Sequence, residues 1–208
     1  MSSDPRIKNL PGYIEEQFVT NNDGNFLPHD KLNDIVSREE VMSNLKDAKV
    51  SNPEDLVDFV LKDAKQLFLI LVMMENLSLL GGLQQDEIKD ASLPIGFDKE
   101  CYGYSLEELE PLGKPRFSIF KDWSRNERRL FDTYQWNFAI PMFNGSQFRF
   151  HFHRSRILPF LNSEAKKPVS SGFFGEVSRT EIHPAHIVVS EAVSNSPRCR
   201  LSRRAQTF

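Results

Sequence analysis

The chain has 208 residues, 39% apolar and 26% charged, with a formal net charge of −3. That apolar share buries a core and excludes a wholly disordered polypeptide, and the length accommodates one domain or one and a half. Its two cysteines, Cys101 and Cys199, make neither a disulfide framework nor a zinc-ligand spacing, so a reducing intracellular compartment, cytoplasmic or nuclear, is expected.

Charge is uneven along the chain. Residues 1 to 100 hold 10 Lys and Arg against 19 Asp and Glu, whereas residues 101 to 208 hold 16 against 10. Such asymmetry fits either two solvated faces of one particle, the favoured reading, or an anionic partner for the basic end.

Residues 1–25 are polar and broken by Pro11, Gly12 and Gly24. A flexible N-terminus is expected there, with at most a short helix from Tyr13 to Val19. The first residues, Met1 to Arg6, contain no apolar run of the kind that directs secretion. A helical module follows over 26–112. Leu32, Ile35 and Val36, then Val41, Met42 and Leu45, have helical spacing, and Ser37 with Glu40 forms a capping box between two helices.

Asn52 reads as the cap of the next helix, with Pro53 at its first position and Glu54 and Asp55 in its first turn. This helix is predicted to run to about Asn76, amphipathic in its first half and apolar all round in its second. The run Leu67 to Met74 is eight residues long, far short of the roughly 20 that span a bilayer, so it predicts a buried helix and no membrane partner. Gly81 and Gly82 are expected to end this unit. Asp90 to Leu112 reads as a linker-like stretch at a domain edge, with a short helix at Leu106 to Leu109.

A Phe-rich helical and extended segment over 113–160 follows. Ser124 and Glu127 form a second capping box, opening a helix toward Trp136. Eleven of the 17 phenylalanines lie between Phe117 and Phe174, implying a second packed cluster or a docking surface. Phe148 to Arg154 alternates rings with basic groups, a pattern that stacks single-stranded nucleic acid. With no accompanying nucleic-acid signature, a core-facing segment is the better reading and no nucleic-acid partner is expected. His151, His153, His183 and His186 lack the supporting residues of a ligand set, so no metal site is expected.

The stretch Ser170-Ser171-Gly172-Phe173-Phe174-Gly175-Glu176-Val177 aligns with the glycine-rich loop of protein kinases, G-x-G-x-x-G-x-V. Gly172 and Gly175 take the second and third glycine positions, Val177 the valine, and Ser170 replaces the first glycine. Glycines three apart let a hairpin backbone close over a triphosphate, and a valine beyond them packs on adenine. Ser170, Gly172, Gly175 and Val177 are therefore the candidate cofactor-binding residues.

Around this loop lie Gln135-Trp136-Asn137-Phe138 with Pro141 and Phe143, then Ile157-Leu158-Pro159-Phe160, then Glu181-Ile182-His183-Pro184-Ala185-His186. This order resembles the N-terminal part of a group of fungal serine/threonine-protein-kinase-like proteins. The resemblance covers most of residues 26 to 187 and is most specific from Trp123 to His186. It implies a helical extension followed by a partial kinase N-lobe hairpin over 161–189, in a chain expected to be mainly α with a disordered basic tail over 190–208. In a complete relative the loop clasps ATP and magnesium.

Catalysis is not expected of residues 1 to 208. A kinase needs, after its loop, a lysine for the phosphates, an aspartate base, and an aspartate and an asparagine for magnesium. The last lysine here is Lys167, before the loop, and the last aspartate is Asp132. ATP binding is accordingly expected to be weak or absent, with no catalytic residue and no cofactor of the chain's own. From Ser190 onward the composition turns to Ser, Arg, Pro and Asn. A truncated product, a read-through intron or a frameshift accounts for this, with a basic disordered tail as the competing explanation. The expected function is a non-catalytic, kinase-like N-terminal fragment with a helical regulatory or interaction extension. The alternative is a free-standing helical module that binds a protein partner through its helical and Phe-rich region and keeps the loop as a relic.

Overall fold

In the computed structural model the described residues are 9–106, 116–144, 150, 152–161, 170–172, 175–177, 180–188 and 202–203. They are mainly α, with seven α-helices and short paired strands. The segment expected as a helix at Leu106 to Leu109 lies largely outside them.

The N-terminus is not loose from Asn9 onward. Asn9 accepts the Gly12 N–H through its side chain and starts α1, Leu10–Glu16, with Pro11 in the first turn where no N–H is missed. Leu10 and Ile14, four apart on one face, are both buried in the main core. That apolar pair, too sparse to show as a periodic run, is why residues 9–25 of the segment expected to be flexible pack instead. Strands β1, Val19–Asn21, and β2, Gly24–Phe26, then form an antiparallel hairpin closed at Asn21 and Gly24.

Helices α2, His29–Ile35, and α3, Arg38–Asp47, follow, and the Ser37 hydroxyl accepts the Glu40 N–H at 3.2 Å. Asn52 does not cap the next helix with its side chain. It sits in the left-handed region at φ 51°, and α4, Pro53–Asp63, starts from Pro53.

The single helix expected from Pro53 to Asn76 is two helices. Ala64, at φ −142° and ψ 34°, breaks it, and α5, Lys65–Met73, begins in a new direction. The reason comes from 24 residues downstream. Asp90, in the short 3-10 turn Asp90–Ser92, accepts the Gln66 and Leu67 N–H groups on its two carboxylate oxygens, both at 3.0 Å. It supplies the N-terminal cap that Ala64 cannot. Every residue of α5 from Leu67 to Met73 is buried. Each large side chain there contributes about 1.5–3 kcal/mol of burial, making this helix the centre of the core.

Gly81 and Gly82 do not end the unit. They lie inside α6, Leu80–Gln85, where a Cβ on Gly82 would come within 2.6 Å of the Ile119 side chain. Close helix packing, rather than a chain turn, accounts for that glycine. Nor is there a core boundary in the stretch read as a linker. Leu93 and Ile95 belong to the same buried cluster as Leu10 and Ala139. Strands β3, Ile95–Phe97, and β4, Gly103–Ser105, form a hairpin whose Gly103 lies under the Phe120 ring, leaving no room for a side chain.

Helix α7, Arg125–Phe138, opens on the complete capping box expected at Ser124 and Glu127. The Ser124 hydroxyl accepts the Glu127 N–H at 3.2 Å, and the Glu127 carboxylate accepts the Ser124 N–H at 2.6 Å and the Asn76 side-chain amide at 2.9 Å. These bonds, the ones to Ser124 first, hold the Glu127 carboxyl below its ordinary pKa. The fully buried Gln135 faces Ile95, accepting its N–H at 2.7 Å and donating to its carbonyl at 2.9 Å. A side-chain amide thus completes the ladder of β3.

Beyond α7 the chain contributes β5, Phe143–Asn144; β6, Phe160–Leu161; β7, Ser170–Gly172; β8, Gly175–Val177; β9, Glu181–Ile182; β10, Ile187–Val188; and β11, Ser202–Arg203. In the segment expected to be a disordered tail, Ser202 pairs opposite Val177 and Arg203 opposite Glu176. The outer edge of β8 offers the unpaired N–H and C=O groups that make this addition favourable.

Two predictions follow from the capping of α5. Replacing Asp90 by Ala leaves two N–H groups without acceptors and is expected to cost about 1–3 kcal/mol in urea unfolding. Burial pushes the Asp90 carboxyl up from 3.8 to about 6, against the opposing backbone N–H bonds. The folded state therefore holds this proton more tightly than the unfolded chain, and the group adds stability as pH falls from about 6 toward 3.8. Relative to Asp90→Asn, the native chain is expected to gain about 1–2 kcal/mol between pH 7 and pH 4.5 in paired urea titrations.

Candidate functional site

The segments that carry the sequence motifs meet at one place, where the C-terminal strands join the helical body. The joint is built on the end of α7 and the β1–β2 hairpin. The Asn137 side chain donates to the Asn25 carbonyl at 2.7 Å, and its own carbonyl accepts the Leu27 N–H at 2.9 Å. This fixes β2 beside the helix end, with Phe26 fully buried between them.

Asn21 grips the next segment. Its amide nitrogen donates to the carbonyls of Leu158 and Phe160 at 2.7 and 3.0 Å, while its amide oxygen accepts the Asp23 and Gly24 N–H groups at 2.8 and 3.2 Å. One side chain therefore shapes the β1–β2 turn and holds the strand that leads into the glycine loop. Ile157 packs with Phe26 and Ile140 in a small cluster backed by Trp136, whose ring stacks on His153 at 5.2 Å.

From this foothold the chain forms a hairpin in two registers. Phe160 pairs opposite Ile182 and Leu161 opposite Glu181, and the His183 N–H donates to the Pro159 carbonyl at 2.7 Å. Further out, Ser170 stands opposite Val177, Ser171 opposite Glu176 and Gly172 opposite Gly175. The four candidate cofactor-binding residues thus share one hairpin end, as two cross-strand pairs. Phe173 and Phe174 lie outside the described residues. Between the two registers the sequence places residues 162–169 on the outgoing side and 178–180 on the returning side, a difference of five.

The returning strand closes on the helical body through three imidazoles. His186 is buried, and its Nε2 accepts the His29 N–H at 3.2 Å while its Nδ1 lies 3.3 Å from the Pro141 carbonyl. An acceptor at Nε2 and a carbonyl at Nδ1 require the neutral ring with its proton on Nδ1. Its ring is edge-on to Phe26, His29 and His183, with centroids at 5.7, 6.4 and 6.0 Å. Burial, with the neighbouring imidazoles, pushes its pKa down from 6.5 to about 4. Beyond it β10 runs parallel to β5, with Ile187 opposite Phe143.

Two aromatic groups hold six of the described phenylalanines of this half. Phe120 and Phe131 pack with Trp123 in the main core, and Phe150, Phe152 and Phe160 surround the buried Phe143. Phe138 is buried as well, so neither it nor Phe143 offers the exposed ring that a docking surface needs. Phe148 and His151 are outside the described residues. Among the described residues no group of three His, Cys, Asp or Glu side chains is placed to hold a metal ion.

A recess of about 10 Å³, room for about one water molecule, opens at the joint, lined by Leu27, His29, Leu32, Gln66, Phe138, Ile140 and His186. It lies against the helical body rather than under the glycine pairs, and it is smaller than the roughly 300–1,000 Å³ of ordinary small-molecule sites. Sequence reasoning missed Asn21 and His29. Asn21-Asn22-Asp23-Gly24 does carry a turn signature that marks Asn21, whereas nothing local distinguishes His29.

Asn21→Ala is expected to remove four hydrogen bonds from the joint while sparing α5. Hydrogen exchange should speed at residues 158–161 by at least tenfold, with the α5 amides unchanged, because local openings report local contacts.

No membrane-spanning candidate occurs, since no described helix is long and apolar enough to cross a bilayer. No protein-family model matches the sequence, and comparison with curated proteins and with solved structures finds no match.

Proposed function

We propose that this chain is a helical module that carries a kinase-type glycine-rich hairpin and holds its base, without performing phosphoryl transfer itself. The observation that carries the reading is the pairing of the hairpin. Gly172 faces Gly175 at its outer end, while its base, Phe160 opposite Ile182, is tied to the helical body by Asn21 and His186. Two facing glycines leave backbone N–H groups free of side-chain cover, which is what a phosphate-covering hairpin requires. The motif segments that resemble fungal kinase-like proteins all contribute to this joint: Gln135 to Phe143, Ile157 to Phe160 and Glu181 to His186.

The chemistry stops at binding. Phosphoryl transfer rests on positioned cations and a base, and beyond Gly175 the sequence offers neither lysine nor aspartate. ATP and magnesium belong to a complete relative, and in this chain Ser170, Gly172, Gly175 and Val177 supply one wall of such a site.

A second reading, a helical interaction module with a relic loop, draws on the apolar residues Met142, Ile187 and Val188. They are 36, 43 and 45% exposed and come together where β10 pairs with β5. Exposed large apolar side chains at one sheet edge favour protein contact.

Titration of the full chain with ATP and magnesium, followed by amide NMR, separates the two. The kinase-type reading expects shifts confined to residues 170–177 with a dissociation constant no tighter than about 1 mM, and no transfer of the γ-phosphate. Tight binding with transfer overturns the non-catalytic assignment. Silence at the hairpin, together with self-association in light scattering that Val188→Asp abolishes, supports the second reading.

A further inference from the structure

We infer that His186 is an acid-released latch: protonation of its Nε2 detaches residues 180–188, the returning side of the glycine hairpin, from the helical body, while Asn21 keeps the outgoing side in place. The geometry makes one protonation state the docking state. Nε2 accepts the His29 N–H at 3.2 Å, and Nδ1 faces the Pro141 carbonyl at 3.3 Å. A proton added at Nε2 would point at the backbone N–H it now accepts from, turning an attractive contact into two opposed donors.

The surroundings do not absorb the added charge. The ionisable groups facing His186 are His183 from its own turn and His29 and Asp30 from α2. Burial and the two neighbouring imidazoles disfavour the imidazolium, and together they outweigh the Pro141 carbonyl and Asp30, which favour it. The other lining residues, from α5, α7 and the loop after it, are the uncharged Gln66, Phe138 and Ile140. The ring is nearly inaccessible, at 2% exposure, so water does not solvate the charge while the segment stays docked.

The sign follows from the same environment. Burial lowers the folded-state pKa from 6.5 to about 4, so the undocked segment binds a proton throughout this interval and the docked one does not. Docking is therefore unaffected above about pH 6.5 and weakens progressively as pH falls below it. Besides ring contacts, what remains to hold the segment is short: two pairs of β9 with β6, two of β10 with β5, and the His183 N–H bond to the Pro159 carbonyl. The α5 core has no histidine and is retained.

The test uses the full chain and needs no nucleotide or partner, so its result is independent of the function proposed above. Imidazole ¹⁵N spectra are expected to show His186 with its proton on Nδ1 at pH 7.5. Amide hydrogen exchange, corrected for its intrinsic pH dependence, is then followed from pH 7.5 to 4.5. Protection of residues 181–188 and of the His29 N–H should fall about tenfold per pH unit below about pH 6.5, while α5 protection stays level. His186→Asn keeps a donor for the Pro141 carbonyl and cannot titrate, so its segment should show no such slope. His183→Asn keeps the side-chain acceptor for the Ala185 N–H, now at 3.3 Å, and takes away one neighbour that disfavours the imidazolium, so the total loss on acidification should be smaller. A flat profile in the native chain, a loss that runs in parallel with α5, or an unchanged slope in His186→Asn overturns the latch.

Discussion

The structure depends on covering α5. Seven consecutive residues, Leu67 to Met73, are buried, so the helix needs neighbours on every side. Helices α4, α6 and α7 and the N-terminal α1 all pack against it. This requirement explains the order of the fold. The N-terminal residues are recruited because one side of α5 is otherwise bare, and the stretch after Asp90 is held because its carboxylate caps the helix start. Ala64, at the cap position of α5, has no side-chain acceptor with which to finish the first turn, and Asp90 provides one from outside.

Coverage of α5 also sets where the C-terminal strands stand. Helix α7 packs on α5, and its last turn ends at Phe138, beside β2. Gln135 and Asn137 turn that helix end into a bracket, one amide completing β3 and the other holding β2. The strands that follow are two or three residues long and pair mostly with one another. Sheets of this size are marginal by themselves. Their position is therefore owed to side chains of the body, Asn21 above all, and to His186 reaching back into it.

Sequence reasoning found what was encoded locally. The capping box at Ser124 and Glu127 is complete, since both partners lie within one turn. The buried character of Leu67 to Met74 was equally plain from composition. The break at Ala64 was not, because its cause is a carboxylate 24 residues further on and the apolar pattern runs through it. The helix at Gly81 and Gly82 was hidden for a related reason: the glycines mark close packing against Ile119, which resembles a chain stop when read one residue at a time. At the candidate site the glycine spacing singles out Gly172 and Gly175, which stand opposite each other. It gave no sign of Asn21 or His29, whose contacts with Leu158 and His186 span more than 130 residues.

Asp90 and His186 divide the molecule into parts with opposite responses to acid. Both are shifted by burial, but burial disfavours the charged form in each case, so the carboxyl gains a proton early and the imidazole late. Between about pH 6 and pH 4 the cap on α5 becomes easier to keep, while the joint at Pro141 becomes harder to keep. A chain with only the second group would lose stability as a whole on acidification. With both, the loss falls on the contact that His186 makes, because the helical core is compensated and the short strands are not. The separation of core from joint thus follows from where two buried groups sit rather than from any difference in the number of bonds.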